Sequence, residues 1–275
     1  MLETWTIPGD LVAYRVAAPA PRAALLLVHG FAEHAGRHER TLEHLAARGI
    51  SAYAYDQRGH GRSPGRRAIV ARFDAWVIDA LRVLDDVAAD APGLPLFLMG
   101  ASMGGLLAIR AAQRRPAGLA GVIAVAPALS IDGGQSAFAK AIAPVLARVA
   151  PSLPVAKLEV NVLSRDPAVG AAFLADPLTF KGGFPVRTGV EMVAAGAAAF
   201  AEASRWTLPL LVVQGDRDRI VSPHGGPRFV DEAGGSDRTL RTVAGGYHEP
   251  FNDPGGDALV DEVADWILAR TRAAA

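Results

Sequence analysis

The chain has 275 residues, 51% of them hydrophobic and none of them cysteine. Lys and Arg together number 28, as do Asp and Glu, so the formal net charge is zero and the basic surplus typical of nucleic-acid-binding proteins is lacking. The lack of cysteine excludes disulfides, thiolate metal sites and a cysteine nucleophile. We expect no nucleic-acid partner, and a core large enough for one domain with an insertion.

The N-terminal ten residues contain no basic segment followed by an apolar one, which a secretory signal needs, so the cytoplasm is the expected location. No run reaches the roughly 18–20 apolar residues of a membrane span. The nearest candidate, residues 137–156, carries Lys140 and Arg148 and is interrupted by prolines.

Apolar runs with strand character alternate with helical patterns along most of the chain. The predicted strands are Trp5–Ile7, Leu11–Val16, Ala24–Val28, Ile50–Tyr55, Leu96–Met99, Val122–Val125, Leu210–Val213 and Leu240–Val243. The predicted helices are His38–Arg48, Phe73–Ala89, Met103–Arg115, His224–Ala233 and Asp257–Ala273. Continuous apolar strands from Ala24 onward are typical of a parallel sheet covered by helices on both faces, and the first two runs predict an antiparallel hairpin at one edge.

This alternation stops between residues 128 and 205, a stretch rich in alanine, glycine and proline that predicts short helices and loops. We interpret it as an insertion folded over the strand ends. The remaining residues, 1–127 and 206–275, then form the core domain.

Residues Gly100-Ala101-Ser102-Met103-Gly104 lie between a predicted strand and a predicted helix, the context in which a G-x-S-x-G pattern has meaning. Such a turn is tight and strains the serine backbone, and its glycines let the strand end and the helix start approach closely. The hydroxyl is thereby exposed above a helix N-terminus, which favours developing negative charge. The pattern predicts that Ser102 is a nucleophile, the alternative being an ordinary helix N-cap.

A serine nucleophile needs a histidine base oriented by an acid, and in this pattern the acid and then the histidine follow the serine. His224 and His248 are the two histidines after Ser102. We favour His248, which lies in a glycine-containing turn after a predicted strand, over His224 at a predicted helix start. Asp216 and Asp218 are both candidate acids, and the local sequence does not decide between them.

The tetrahedral intermediate of acyl transfer needs two N–H donors. The backbone N–H of Met103, directly after the serine, is the first. The loop after the third strand should supply the second, and Phe31 is the expected donor. His29 in that loop is predicted to brace it.

Two segments admit other interpretations. The glycines and arginines of residues 56–67 resemble a phosphate cradle or an anion clamp, but the rest of a nucleotide fingerprint is missing, so a structured turn is favoured. His34 and His38 have the i, i+4 spacing of a metal pair, but Gly36 lies between them and no H-E-x-x-H pattern exists. We predict no metal site.

Five motifs carry a resemblance over nearly the whole length of the chain: His29–Arg37, Tyr55–Ser63, Gly100–Gly105, Gln214–Asp218 and Tyr247–Glu249. Through them the chain resembles the monoacylglycerol lipase and lysophospholipase branch of the α/β-hydrolase superfamily. The resemblance implies the α/β-hydrolase fold, with a mostly parallel eight-stranded sheet, helices on both faces and an inserted helical cap over residues 128–205. Ala101 departs from the pattern, because the family usually has histidine there.

The resemblance also implies a catalytic triad in which Asp218 rather than Asp216 is the acid. The triad is then Ser102, Asp218 and His248, and the oxyanion hole is formed by the backbone N–H groups of Phe31 and Met103. No cofactor is expected.

The implied reaction is hydrolysis of monoacylglycerol-like esters through an acyl-enzyme, so the expected partner is a small lipid ester. Glu33, His34 and Arg37 are expected near the polar, glycerol-side end of the site. A short-chain esterase or acyltransferase with the same triad is the alternative, and a non-catalytic ligand-binding relative is a further one. Dehalogenase and epoxide hydrolase chemistry is disfavoured, because those relatives use aspartate at the position of Ser102.

Apolar residues at helical spacing within 137–149 include Phe138, Ile142, Val145 and Leu146. We expect about half of them to pack the cap on the core. The exposed remainder could contact membranes or lipid aggregates, as peripheral amphipathic helices do. The sequence does not define the oligomeric state.

Overall fold

The computed structural model describes residues 2–7, 9–115, 117–131 and 137–271, with the backbone alone for 137–140. Its strands are β1 (Glu3–Ile7), β2 (Leu11–Val16), β3 (Ala23–Val28), β4 (Ile50–Tyr55), β5 (Leu96–Ala101), β6 (Leu119–Val125), β7 (Pro154–Ala156), β8 (Phe184–Pro185), β9 (Leu210–Gly215) and β10 (Arg238–Val243). Its helices are α1 (Glu39–Ala47), α2 (Phe73–Asp90), α3 (Met103–Arg114), α4 (Ala137–Val149), α5 (Pro167–Ala175), α6 (Val186–Ala201), α7 (Gly225–Glu232) and α8 (Gly256–Thr271).

Eight of these strands form one sheet in the order β1-β2-β4-β3-β5-β6-β9-β10. The β1–β2 and β2–β4 pairs are antiparallel, and every other pair in this sheet is parallel. The prediction of a mostly parallel sheet with an antiparallel hairpin at one edge is confirmed. The carboxyl ends of β3, β5, β9 and β10 therefore lie along one edge of the sheet, where ligands of open parallel sheets bind.

Helices cover both faces because the central strands are apolar on both sides. Strands β3 and β4 are buried along their full length. Leu42 and Leu45 of α1 pack with Val263 and Ile267 of α8 on one face, while α2, α3 and α7 pack on the other. Burial of these side chains, at about 25 cal/mol per Å² of apolar area, holds the layers together.

The segment between β6 and β9 contributes no described strand to the eight-stranded sheet. It contains α4, α5 and α6, and β7 pairs with β8 in a separate two-stranded sheet. Helix α6 has 16 residues and is longer than the short helices predicted for this region. Its alanines and two glycines give a weak amphipathic signal. Gly196 is required by packing, because a Cβ there would clash with the carbonyl oxygen of Leu129.

Candidate active site

Ser102 occupies the turn between β5 and α3. Its backbone φ is 55°, in the left-handed region that L-residues other than glycine rarely adopt. The turn is fixed by a hydrogen bond from the N–H of Ser102 to Val125 (2.9 Å) and another from the N–H of Ala128 to the carbonyl of Ser102 (3.0 Å). A Cβ at Gly100 would overlap the carbonyl oxygen of Gly104, so the strand and the helix could not otherwise approach this closely. Such strain is typical of functional sites.

An acid–histidine pair follows the last two strands of the large sheet. The Nδ1 atom of His248 lies 2.8 Å from Oδ2 of Asp218, and both side chains are buried. The other carboxylate oxygen, Oδ1, accepts hydrogen bonds from the backbone N–H groups of Ile220 (2.8 Å) and Val221 (3.1 Å). Because these bonds fix the carboxylate, the imidazole is held in one orientation, with Nε2 as the remaining ring nitrogen.

The structure separates the alternatives that the local sequence left open. Asp216 is exposed, and its Oδ1 accepts a hydrogen bond from the N–H of Gly245 at 2.7 Å, which braces the turn. His224 is exposed at the N-terminus of α7. Asp218 and His248 are thus the pair that the fold brings together.

Asp218 and His248 shift each other's pKa in opposite directions. Burial alone would lower the pKa of His248, but the charge and hydrogen bond of Asp218, helped by Glu249 and Glu33, raise it above the ordinary 6.5. Burial alone would raise the pKa of Asp218, but His248 and two backbone N–H groups outweigh it and hold that pKa below its ordinary value. The arrangement therefore favours a carboxylate beside an imidazole that accepts a proton readily.

Amide groups from two segments surround the Ser102 side chain. A Cβ placed on Gly30 would lie 3.2 Å from the Cβ of Ser102, so the loop after β3 passes directly beside the serine. Phe31 follows in this loop. Met103 is the first residue of α3, where N–H groups have no partner within the helix. These are the two segments from which the oxyanion donors were predicted.

A buried ionic network stabilises the loop after β3. The carboxylate of Glu33 accepts the Gly30 N–H at 2.5 Å and the Arg37 guanidinium at 2.6 Å. Arg37 also donates to both carboxylate oxygens of Glu249, at 3.1 and 3.2 Å, and His38 Nε2 lies 3.2 Å from Glu33. Burial would raise the pKa of Glu33, but His38 and Arg37 hold it well below the ordinary value.

Sequence reasoning assigned no role to Glu249, although it belongs to the Tyr247–Glu249 motif. It also missed Gln214, whose side-chain amide donates to Oδ2 of Asp218 at 3.2 Å. Position in a shared motif was the one available signal for either residue. Their partners lie in other segments of the chain or across a turn, and this proximity is visible only in the fold.

The other histidines of this region brace loops. His29 is buried, its Nε2 accepts the Gln57 N–H at 2.9 Å, and burial lowers its pKa to about 4. His34 bonds to Asp176 at 2.7 Å and accepts the Gly36 N–H. Of the three residues expected near the glycerol-side end, Glu33 and Arg37 line the cavity described below, and His34 is not among its described lining residues.

The arginine-rich loop after β4 forms a structured turn. Its buried Asp56 accepts hydrogen bonds from the Tyr14 hydroxyl (2.9 Å) and from the N–H groups of Ala35 (2.9 Å) and Arg62 (2.8 Å). Arg58 is paired with Asp79. Among the described residues, no group of three or more His, Asp or Glu side chains is arranged to hold a metal ion.

A cavity of about 1120 Å³ lies over the serine, and Ser102 and His248 are both in its wall. This is slightly above the roughly 300–1,000 Å³ typical of small-molecule sites. Part of its lining is a connected polar cluster: Glu33, Arg37, His38, Glu249 and Asn252. Much of the rest is apolar and comes from the segment between β6 and β9, including Ile142, Leu146, Leu158, Phe173, Phe184, Val190 and Val193.

Comparisons with known proteins agree with this architecture. Residues 19–255 match the model of a hydrolase family described as serine aminopeptidase S33. The chain is 36% identical to a monoacylglycerol lipase of Mycolicibacterium smegmatis over 96% of this chain and 95% of that protein. It is 32% identical to the monoglyceride lipase of Homo sapiens over 92% of this chain and 85% of that protein. The crystal structure of Paleococcus ferrophilus monoacylglycerol lipase superposes with a TM-score of 0.84 at 33% identity, covering 95% of this chain and 99% of that one.

The fold and these similarities define a serine hydrolase of the α/β-hydrolase superfamily that acts on carboxylic esters. Within that superfamily the chain belongs to the serine aminopeptidase S33 family and to its monoacylglycerol lipase branch.

Proposed function

We propose that this enzyme hydrolyses monoacylglycerols, with Ser102, Asp218 and His248 as its catalytic triad. The observation that carries the proposal is the cavity, which joins Ser102 and His248 to a long apolar wall and to a connected polar cluster. An ester of one acyl chain with a small polyol has an apolar part that fits the apolar wall and a polar part that fits the polar cluster. The monoacylglycerol lipases to which the chain is similar support the same substrate class.

The proposed reaction proceeds in two halves. His248 Nε2 takes the proton of the Ser102 hydroxyl as its oxygen attacks the ester carbonyl carbon. The N–H groups of Phe31 and Met103 stabilise the oxyanion. Collapse of the tetrahedral intermediate breaks the ester C–O bond, and the leaving glycerol oxygen takes the proton from His248, whose charge Asp218 has stabilised. Water then attacks the acyl-enzyme with the same base, releasing the fatty acid and restoring Ser102.

Residues 128–205 are proposed to act as the cap that roofs the acyl site, with residues 1–127 and 206–275 as the core. Helices α4 and α6 both contribute apolar side chains to the cavity wall. The acyl chain is proposed to lie against them. The glycerol group is proposed to lie toward Glu33 and Arg37, whose charges are already compensated by Glu249 and His38.

The test measures hydrolysis of glycerol monoesters from acetate to oleate, together with labelling by a fluorophosphonate. We expect a preference for medium or long chains, and loss of both hydrolysis and labelling in Ser102→Ala. Full retention of hydrolysis in Ser102→Ala would remove the proposed nucleophile. A preference for acetate over octanoate would instead favour a short-chain esterase or acyltransferase.

The acid assignment is tested by a matched pair of variants. Asp218→Asn should lower kcat by about 10³- to 10⁴-fold, because an amide cannot stabilise the imidazolium or fix its tautomer. Asp216→Asn removes the same charge two residues away, where the side chain braces an exposed turn. It should stay within about threefold of the parent rate. The reverse order of effects would reassign the acid.

We further propose that α4 contacts lipid surfaces. Ile142 and Leu146 face the cavity, whereas Val145 and Val149 of the same helix are 59% and 74% exposed, so α4 presents apolar side chains on two sides. An outward apolar face is typical of helices that rest on lipid. Phe138, grouped with Ile142, Val145 and Leu146 in the sequence, lies outside the residues whose side chains are described. No helix in the described ranges is long and apolar enough to span a bilayer.

A further inference from the structure

A second set of hydrogen bonds joins the insertion to the loop that carries His248. The centre of this set is Asp253, whose side chain is 1% exposed. Its Oδ1 atom lies 2.9 Å from the Ser164 hydroxyl and accepts the Arg165 N–H at 2.7 Å. Its Oδ2 atom accepts Arg165 Nε at 3.0 Å and the backbone N–H of Tyr247 at 3.0 Å. One carboxylate thus ties an insertion segment to the residue directly before His248.

The residue directly after His248 is tied to the same segment. The N–H of Glu249 donates to the carbonyl of Leu163 at 2.7 Å. The Ser164 hydroxyl also lies 2.9 Å from the carbonyl of Asn252, so it can donate to that oxygen or to Asp253. The backbone N–H groups of both residues next to His248 are therefore anchored, directly or through Asp253, to residues 163–165.

These bonds differ in kind from the contacts that α4 and α6 make with the site. The described side chains of α4 and α6 reach the cavity as apolar lining. The 163–165 segment instead makes directional bonds to the backbone of the His248 loop and to the Asp253 carboxylate, and the bonds to the carboxylate are charge-assisted. A carboxylate buried this deeply is costly unless every oxygen lone pair is used, and here two oxygens are within reach of four donors.

We propose that Asp253, together with Leu163, Ser164 and Arg165, positions His248 for proton transfer. The inference rests on the proposed function, since it takes His248 as the general base. It assigns the insertion two separable tasks. The α4 and α6 helices line the acyl site, whereas the 163–165 segment aligns the base and is needed for every ester, including small water-soluble ones.

Misplacement of a catalytic group by about 1 Å can cost 10²-fold in rate even when the change lies far from the chemistry. Asp253→Asn is the informative change, because an amide keeps the shape but replaces one acceptor oxygen with an NH₂ donor. That donor must face either Ser164 and the Arg165 N–H, or the Tyr247 N–H and the guanidinium. The variant therefore loses hydrogen bonds either to Ser164 and the Arg165 N–H or to the Tyr247 N–H and the Arg165 guanidinium.

Asp166→Asn is the matched control. Asp166 directly follows the 163–165 segment and caps α5 by accepting the Ala168 N–H at 2.9 Å. No described hydrogen bond of its side chain reaches the His248 loop. The substitution makes the same chemical change one residue beyond the segment.

The experiment measures kcat, KM and the pH profile on p-nitrophenyl acetate and on a medium-chain monoacylglycerol. The downfield NMR signal of the imidazole proton in the His248–Asp218 pair is recorded for each variant. We expect Asp253→Asn to lower kcat about 10- to 100-fold on both esters with little change in KM. The midpoint of its pH profile should fall, because a displaced His248 interacts less with Asp218, Glu249 and Glu33, the groups that raise its affinity for protons. The imidazole signal should weaken, and Asp166→Asn should match the parent in every measurement.

A folded Asp253→Asn variant whose kcat and pH midpoint match the parent would overturn the inference, as would a loss confined to the monoacylglycerol. If Asp253→Asn does not fold, Ser164→Ala replaces it, with a smaller loss of kcat expected at unchanged KM. An unchanged kcat in Ser164→Ala would then count against the inference. Retained hydrolysis in Ser102→Ala defeats the proposed function itself, whereas a dead Ser102→Ala beside a fully active Asp253→Asn defeats only the positioning role.

Discussion

At the scale of single residues, the site combines a strained serine with a histidine whose proton affinity is set by its surroundings. The φ of 55° at Ser102 costs on the order of 1–3 kcal/mol for a residue with a Cβ. The glycines around it and the hydrogen bonds of the turn hold that conformation. The local sequence showed this turn clearly, because its glycines and its serine are contiguous.

The raised pKa of His248 gives a pH dependence with a definite sign. The base must be neutral, so kcat/KM should fall as the pH drops through the pKa of the free enzyme. Asp218, Glu249 and Glu33 raise that pKa above 6.5, so the midpoint of the rise should lie above pH 6.5. A pH profile of kcat/KM on a neutral soluble ester measures it. A midpoint at or below 6.5 would mean that these carboxylates do not act on the base as described.

At the scale of elements, the close approach of α3 to the strands depends on small residues. A Cβ at Gly104 would overlap the carbonyl oxygens of Val28 and His29, which are backbone atoms and cannot move aside easily. Gly189 in α6 is a useful contrast, because a Cβ added there would lie 3.2 Å from the side-chain ring of Phe184 and would not overlap any backbone atom.

We expect Gly104→Ala to lower the free energy of unfolding by about 3 kcal/mol or more, since α3 must move away from β3. Gly189→Ala adds the same methyl group inside a helix, where alanine has the higher propensity, and should change stability by no more than about 1 kcal/mol. Urea denaturation of both variants measures the difference. Equal effects would show that α3 tolerates displacement from the sheet.

The network around Arg37 should be more important for stability than an exposed ion pair. Arg37→Met leaves the carboxylates of Glu33 and Glu249 without their shared partner in a buried setting, at a cost of about 3–5 kcal/mol. Arg241→Met breaks an exposed pair with Glu262 and should cost no more than about 1 kcal/mol. Thermal and urea unfolding compare the two variants, and a cost for Arg37→Met as small as that for Arg241→Met would contradict the burial argument.

The sequence predicted elements better than the contacts between them. All eight strands of the large sheet were predicted, because most of them are apolar runs bounded by turn residues. The length of α6 was missed, because Gly189 and Gly196 lower its helix propensity, although Gly196 is what lets the helix approach Leu129. The Glu249–Arg37 pair could not be predicted from spacing, since tertiary folding alone brings these segments together.

At the scale of the whole molecule, the fold consists of an eight-stranded sheet covered by helices and of the inserted residues 128–205, which line the cavity with apolar side chains. The proposed nucleophile, acid, base and amide donors follow four different strands, β3, β5, β9 and β10, all at one sheet edge. The order of those strands was not predictable from local patterns. The candidate residues could nevertheless be named from the sequence, because polar side chains that directly follow parallel strands lie at one sheet edge in this architecture.

The proposed lipid contact of α4 predicts a selective loss. Val145→Glu with Val149→Glu places two charges on the outward face and should reduce hydrolysis of monoacylglycerol in vesicles several-fold, with the rate on a soluble short ester unchanged. Ile78→Glu, which alters an exposed apolar residue of α2, is the control and should affect neither rate. Equal rates of parent and double variant on vesicles would argue against lipid contact through this helix.

The placement of the reactive groups along the chain has a consequence for biosynthesis. The serine follows β5 in the first half of the chain, whereas the acid and the histidine follow β9 and β10, the last strands in chain order. A nascent polypeptide on the ribosome therefore exposes its nucleophile turn long before the proton acceptor is translated. We expect hydrolytic competence to arise only when the C-terminal strands dock, so unfinished chains are harmless to the lipids around them.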